Sequence, residues 1–283
     1  MNSANNTLTK EEKRRLKALK RENQSLSVSH ESRIHSVNQT VGEIKSTTDT
    51  SIEPITVLCV RFGNKYGRDY VERLRNMVAK HITVPYEFVC LTDDKHPISG
   101  VRSIIQPSAG YVKLWWHKVH MFDPGLPVKG RILYLDLDLV IHRNINKLVE
   151  VKSKELLGIR DFNRKFYPKW QQLNSSALCW WHGEHSYIYE NFKKDPKTAM
   201  RLHGDQDWIW REGKGRIRFW PDGWIQSYKW EIRGREQLVS RTGVNGFKTV
   251  SNLAPPADCC IAVFHGEPKP QDVQDPFVVD NWR

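Results

Sequence analysis

The sequence predicts an α/β protein built on a mixed, mostly parallel β-sheet flanked by helices, and three observations lead there. Short apolar runs recur without polar alternation, at Ile55 to Phe62, Tyr86 to Thr92 and Ile132 to Leu135, which suits strands covered on both faces. Between the first two lies Asp69 to Ile82, where Tyr70, Val71, Leu74, Met77 and Val78 recur at helical spacing, so strand, helix and strand follow one another as a βαβ unit. The runs also end in acids, Asp93-Asp94 and Asp136-Leu137-Asp138, and the carboxyl ends of strands are where open α/β sheets bind ligands.

Taken in order, residues 1–50 read as a basic, flexible tail and linker, and 51–283 as a single folded domain. Leu8 to Gln24 has the charge of a solvated helix but few leucines to bury, and Ser25 to Ser51 is rich in Ser, Thr, Asn and Gln. The turn after the first strand carries Phe62, Asn64 and Tyr66, a candidate pocket for a nucleotide base; neither GxGxxG nor GxxxxGK[ST] occurs, so it is no phosphate loop. Tyr111 to Phe122 has helical spacing that turns Val112, Trp115, Val119 and Phe122 inward and leaves Lys113, His117 and Lys118 off that stripe, before Asp123-Pro124-Gly125 stops it.

The central stretch is Arg131 to Ile141. Four apolar residues precede Asp136 and three follow Asp138, so uncompensated carboxylates there would be costly. Side chains two apart on an extended chain point to the same side, and both carboxylates can face one hard cation such as Mg²⁺ or Mn²⁺. Leu156 to Ile159 reads as a further short strand ending at Asp161. Asn174-Ser175-Ser176 reads as a polar turn leading into the apolar run through Trp181, and Gly204-Asp205-Gln206-Asp207-Trp208 as a second acidic cluster that opens a tryptophan-rich region. Cys260 to Phe264 is a last buried run, and it delivers His265-Gly266-Glu267-Pro268-Lys269-Pro270.

Lys and Arg outnumber Asp and Glu by 44 to 32, a net +12 that favours anionic partners such as nucleotides or an acidic membrane surface. Residues 1–50 hold 9 Lys and Arg against 6 acids, so only +3 lies there and +9 belongs to the remainder. No run approaches the roughly 20 apolar residues of a membrane span, and no signal peptide core opens the chain, so a soluble, cytoplasmic protein is expected. The five cysteines, Cys59, Cys90, Cys179, Cys259 and Cys260, are odd in number and without CxxC spacing, which argues for reduced core thiols.

The order Asp136-Leu137-Asp138, then Asn174-Ser175, then Asp205-Gln206-Asp207, then Phe264-His265-Gly266 with Lys269-Pro270, resembles the nucleotide-sugar glycosyltransferases of the GT-A (Rossmann-like) fold, of the glycogenin and lipopolysaccharide galactosyltransferase type. The resemblance spans roughly Ile55 to Pro270. It implies a Mn²⁺ (or Mg²⁺) ion held by Asp136, Asp138 and His265, a UDP-sugar donor met by Lys113, Asp136, Asn174, Gly266 and Lys269, and a catalytic group formed by Asp205, Gln206 and Asp207 at the donor sugar and a saccharide or other hydroxyl acceptor. It also implies a retaining outcome. Ser in Asn174-Ser175-Ser176 where the family often has Gly, and Trp210 near a usual Asn, are departures that bear on the donor sugar. Two other classes remain open at this point. Asp136 to Val140 is also similar to the nucleophile motif of haloacid-dehalogenase-like phosphatases, with Gly204-Asp205 as a possible metal motif, and the positive charge admits a non-enzymatic nucleic-acid binder, although nucleic acid is not the expected partner.

Overall fold

The computed structural model describes residues 54–106, 110, 112, 114–233, 236–240, 243–248 and 254–283. The tail and linker expected over 1–50 and the donor contact expected of Lys113 lie outside the described residues.

A seven-stranded mixed sheet forms the centre. Its strands are β1 (Ile55–Arg61), β2 (Glu87–Thr92), β3 (Arg102–Ile105), β4 (Arg131–Leu135), β6 (Leu156–Arg160), β7 (Leu173–Trp181) and β8 (Ile217–Phe219), in the order β3-β2-β1-β4-β7-β6-β8. Pairing is parallel from β3 to β4 and between β6 and β8, and antiparallel on both sides of β7. The βαβ unit is present, with helix α1 (Arg68–His81) burying Val71, Leu74, Met77 and Val78 between β1 and β2. A second, three-stranded sheet sets β12 (Ile261–Val263) between β5 (Leu139–Ile141), antiparallel, and β9 (Ile225–Ser227), parallel. Two further strands, β10 (Glu236–Ser240) and β11 (Gly243–Lys248), pair antiparallel as a separate compact unit, with a register shift between Leu238 and Val239.

Period-two alternation along the strands builds a core on each face of the large sheet. Val57, Cys59, Leu133, Leu135 and Cys179 share one core with α1 and the small sheet. Leu58, Ile132, Tyr134, Leu178 and Trp180 share the other with the 3-10 helix Leu114–Phe122 and with α3 (Tyr187–Lys194) and α5 (Asp205–Glu212). All five cysteines are free and buried. Gly130, at φ +71°, permits the approach into β4, because a Cβ there would stand 2.0 Å from the Pro54 carbonyl oxygen.

Two expectations change. Leu114–Phe122 is a 3-10 helix with three residues per turn, which aligns Trp116, Val119 and Phe122 inward and leaves Trp115 at 52% exposure, although Trp115 was expected inside. Asn174-Ser175-Ser176 is not a turn but the buried start of β7, where polar side chains are tolerated because partners from other elements reach them.

Candidate active site

The chain changes sheets at the acidic motif. β4 ends at Leu135, the Asp136 N–H donates to the Ser176 carbonyl at 2.8 Å, and Leu137 tucks into the core. Asp138 then leads into β5, and its carbonyl accepts the Phe264 N–H at 3.0 Å. This last bond ties the acids to the segment that carries His265, Gly266 and Lys269.

Each acid meets an ammonium from a distant part of the chain. Asp136 Oδ1 accepts from Lys118 Nζ at 2.9 Å and from the Tyr134 hydroxyl at 2.5 Å. Asp138 Oδ2 accepts from Lys269 Nζ at 2.6 Å and from the Tyr66 hydroxyl at 2.8 Å. Lys118 also reaches Ser175 Oγ at 3.0 Å and Asp205 Oδ2 at 3.4 Å. Burial pulls the Lys118 ammonium toward neutrality, but Asp136 and Asp205 overcome it and hold the group charged, above its ordinary range. Burial likewise raises the Asp205 carboxyl, against the pull of Lys118 and Ser175. The Tyr66 phenol is pushed far up, first by burial and then by the charge of Asp138.

Helix α5 starts at Asp205, so Asp205 and Asp207 occupy a first turn where acids complement the helix dipole. Ser175 draws this turn onto β7: its N–H donates to Gln206 Oε1 at 3.2 Å and its hydroxyl bonds Asp205 at 3.2 Å. Gln206 Nε2 donates in turn to Asp161 at 3.4 Å. Asp207 is half-buried one position further on. Asn174 turns its side-chain oxygen onto its own strand, accepting the Ser176 N–H at 3.1 Å. Gly266, at φ +71°, passes so close to Lys229 that a Cβ would lie 2.8 Å from its Nζ.

His265 sits one residue past the Phe264 tie. Its Nε2 lies 2.7 Å from Ser227 Oγ, and its ring stacks on Phe162 at 5.2 Å and meets Trp230 edge-on at 4.5 Å. Burial, with the neighbouring Lys229 and Lys269 cations, lowers its pKa to about 3, so the ring is neutral.

The expected cation ligands Asp136, Asp138 and His265 are therefore not preassembled, and among the described residues no three His, Cys, Asp or Glu side chains converge on one ion. The physical reason is that Lys118 and Lys269 neutralise the two carboxylates and Ser227 holds the imidazole. Their donor chemistry nonetheless suits a divalent cation. Asp136 Oδ2, Asp138 Oδ1 and His265 Nδ1 make no hydrogen bond among the described residues, and the ring is neutral, so one of its two nitrogens carries a lone pair.

The candidate base pocket is also rearranged. Phe62 is buried and stacks on His117 at 4.1 Å, Asn64 is exposed, and Tyr66 belongs to the Asp138 cluster. Lys118 is the residue sequence reasoning missed. The signal was a lysine in the middle of the aromatic run Leu114–Phe122, where solvation of an outer face was the competing explanation.

No family model matches the chain, and no curated protein matches it in sequence. Solved structures do resemble it in fold. WbbM, a bifunctional glycosyltransferase in its apo form, superposes with a TM-score of 0.54 at 14% identity, over 87% of this chain and 52% of its own. The apo form of the glycosyltransferase GlyE of Streptococcus pneumoniae TIGR4 gives 0.54 at 13%, over 81% and 61%. The galactosyltransferase LgtC, in complex with donor and acceptor sugar analogues, gives 0.52 at 12%, over 76% and 88%. The chain thus spans less than two thirds of WbbM and of GlyE. At these identities the likeness defines the class by fold: a mixed α/β structure of the GT-A glycosyltransferase type. No helix among the described residues is long and apolar enough to cross a membrane.

Proposed function

We propose that the protein is a metal-dependent glycosyltransferase that moves a sugar from a nucleoside diphosphate donor, a UDP-sugar, to a saccharide or other hydroxyl acceptor, with retention at the anomeric carbon. The observation that carries this reading is the pairing of two carboxylates at one strand end with two lysines, Lys118 and Lys269, at 2.9 and 2.6 Å. Carboxylates suit a divalent cation and ammoniums suit phosphate oxygens, so one small volume offers partners for both halves of a metal-diphosphate pair.

Asp136, Asp138 and His265 would hold Mn²⁺ or Mg²⁺, which when bound supplies positive charge at the departing diphosphate. Lys269 would exchange its bond to Asp138 for a phosphate oxygen, adding charge where the leaving group becomes negative. Lys118 would hold Asp136 and Asp205 in place through its contacts at 2.9 and 3.4 Å. Gln206 and Asp205, oriented through Ser175, would line the donor sugar, with Asn174 beside them and Asp207 on the acceptor side. Gly266 would let the loop backbone approach the donor closely.

Incubation with a panel of UDP-sugars and Mn²⁺, following UDP release, tests the reading. Release of UDP that stops with excess EDTA is expected. Hydrolysis of p-nitrophenyl phosphate, or a shifted nucleic-acid band, with no turnover of any nucleotide sugar would overturn it.

A further inference from the structure

Behind His265 runs a chain of hydrogen bonds with no role in the reading above. Arg164, almost wholly buried, presents its guanidinium to both oxygens of Glu231 at 3.1 Å. It also donates to the carbonyls of Asp222 and Ile225 at 3.0 Å and to that of Arg160. Glu231 Oε2 accepts the Ser227 N–H at 2.8 Å. Ser227 has no exposed surface; its Oγ accepts the Trp230 N–H at 3.1 Å and lies 2.7 Å from His265 Nε2. Arg164 and Phe162 share one short 3-10 turn, so the segment that anchors Glu231 also supplies the ring stacked on the imidazole.

The chemistry of Ser227 follows from counting its hydrogen bonds. The Trp230 N–H takes one lone pair, and among the described residues the buried hydroxyl proton has one acceptor within hydrogen-bond distance, His265 Nε2. With no cation bound, the hydroxyl therefore donates to Nε2, and the ring proton sits on Nδ1. If Nδ1 gives its lone pair to a cation, the ring proton moves to Nε2, and the same oxygen has a second lone pair to accept it, its own proton then turning away from the ring with no acceptor among the described residues. A hydroxyl, unlike a carboxylate or an amide N–H, keeps its bond in both tautomers.

We propose that Ser227, held by Glu231 and Arg164, is a positioning residue that grips His265 through Nε2 in either tautomer and so reserves Nδ1 for the divalent cation. The inference rests on the metal-dependent reading above and adds the groups that aim its imidazole. Partners of metal-bound histidines typically alter metal affinity about 10- to 100-fold when removed.

Two measurements on the full chain test it. In the metal-free protein, ¹⁵N chemical shifts of the imidazoles, with His265 assigned by substitution, should report the Nδ1–H tautomer; an Nε2–H ring in the wild type overturns the proposal without any variant. Mn²⁺ binding in the presence of UDP, followed by the free-ion electron paramagnetic resonance signal, should weaken about 10-fold or more in Ser227→Ala. It should be retained in Ser227→Thr, which keeps the hydroxyl. The Ala variant should also lose the wild-type tautomer, a change that a general loosening of the neighbouring turn does not produce. Wild-type Mn²⁺ affinity in Ser227→Ala, or equal losses in the Ala and Thr variants, overturns the positioning role alone. A wild type that binds UDP but no Mn²⁺ removes the metal-dependent reading itself, and this inference with it.

Discussion

Lys118→Met removes one ammonium from between two carboxylates and should unfold the protein more readily at neutral pH than in mild acid. The Lys118 side chain is 10% exposed, Asp136 25% and Asp205 13%. At an effective dielectric near 20, separations of 2.9 and 3.4 Å correspond to about 6 and about 5 kcal/mol of gross attraction. Most of that offsets the desolvation of three charged groups. Removing a single partner, however, leaves like charges facing each other out of water, and the expected net loss is about 3–5 kcal/mol, or a fall in melting temperature of about 6–20 °C. The pH dependence follows from the sign of the shifts. Burial already raises the Asp205 carboxyl, and loss of Lys118 raises it further above its unfolded value. The deficit should therefore be full at pH 8 and shrink as pH falls through that raised value toward the unfolded carboxyl range of about 4. Thermal melts of wild type and variant at pH 8 and pH 5 read it directly. An equal deficit at both values, or none at either, would refute the role assigned to Lys118.

Asp138→Asn should cost about 3 kcal/mol of transition-state stabilisation, roughly a hundredfold in kcat; normal turnover would remove Asp138 from the cation site. Lys269→Ala should lower kcat and weaken UDP binding at every Mn²⁺ concentration, whereas His265→Ala should recover partly as Mn²⁺ is raised, and indistinguishable titrations would contradict the division of labour between them. Burial lowers His142 to about 3 and His120 to about 4. Both rings are thus neutral when folded and take up protons on unfolding, so stability should be full above about pH 6.5 and fall toward pH 4, by up to about 1.4 kcal/mol per pH unit for each ring. Among the described residues the buried His142 Nε2 has no hydrogen-bond partner, so His142→Leu should flatten the slope of urea midpoint against pH; an unchanged slope would show that other groups set it.

What was legible in the sequence is what local periodicity encodes. The βαβ unit from Ile55 to Thr92 follows from apolar runs around a helical stripe, and β4 from an unbroken apolar run ending in acids. A helical spacing of 3.6 turns Trp115 inward, whereas the helix turns every three residues and leaves Trp115 exposed. Polar residues in β7 looked like a turn because their partners lie far off in the chain: Ser175 meets Lys118 across 57 residues and Gln206 across 31. The same holds for Lys118, whose partners Asp136, Ser175 and Asp205 come from a strand end, a neighbouring strand and a helix start. The motif order named many of the residues at this strand end. It left out Lys118 and the serine behind His265, because a hydrogen bond across the fold has no spacing to read.

The joint between Asp138 and Phe264 has a temporal consequence. Lys269 follows Asp138 by 131 residues, and at ordinary rates of synthesis the ribosome needs roughly 10 s to supply it. During that interval the parallel core from β1 to β4 can already pair, while its two acids wait without the later ammonium. Docking of β12 beside β5 is the act that completes the constellation, so the cluster at this strand end is assembled in one late step. The same joint should be an early casualty of thermal fraying: if β12 peels away, Lys269 and His265 leave together and the seven-stranded sheet remains, a folded protein without the cluster at its acidic strand end.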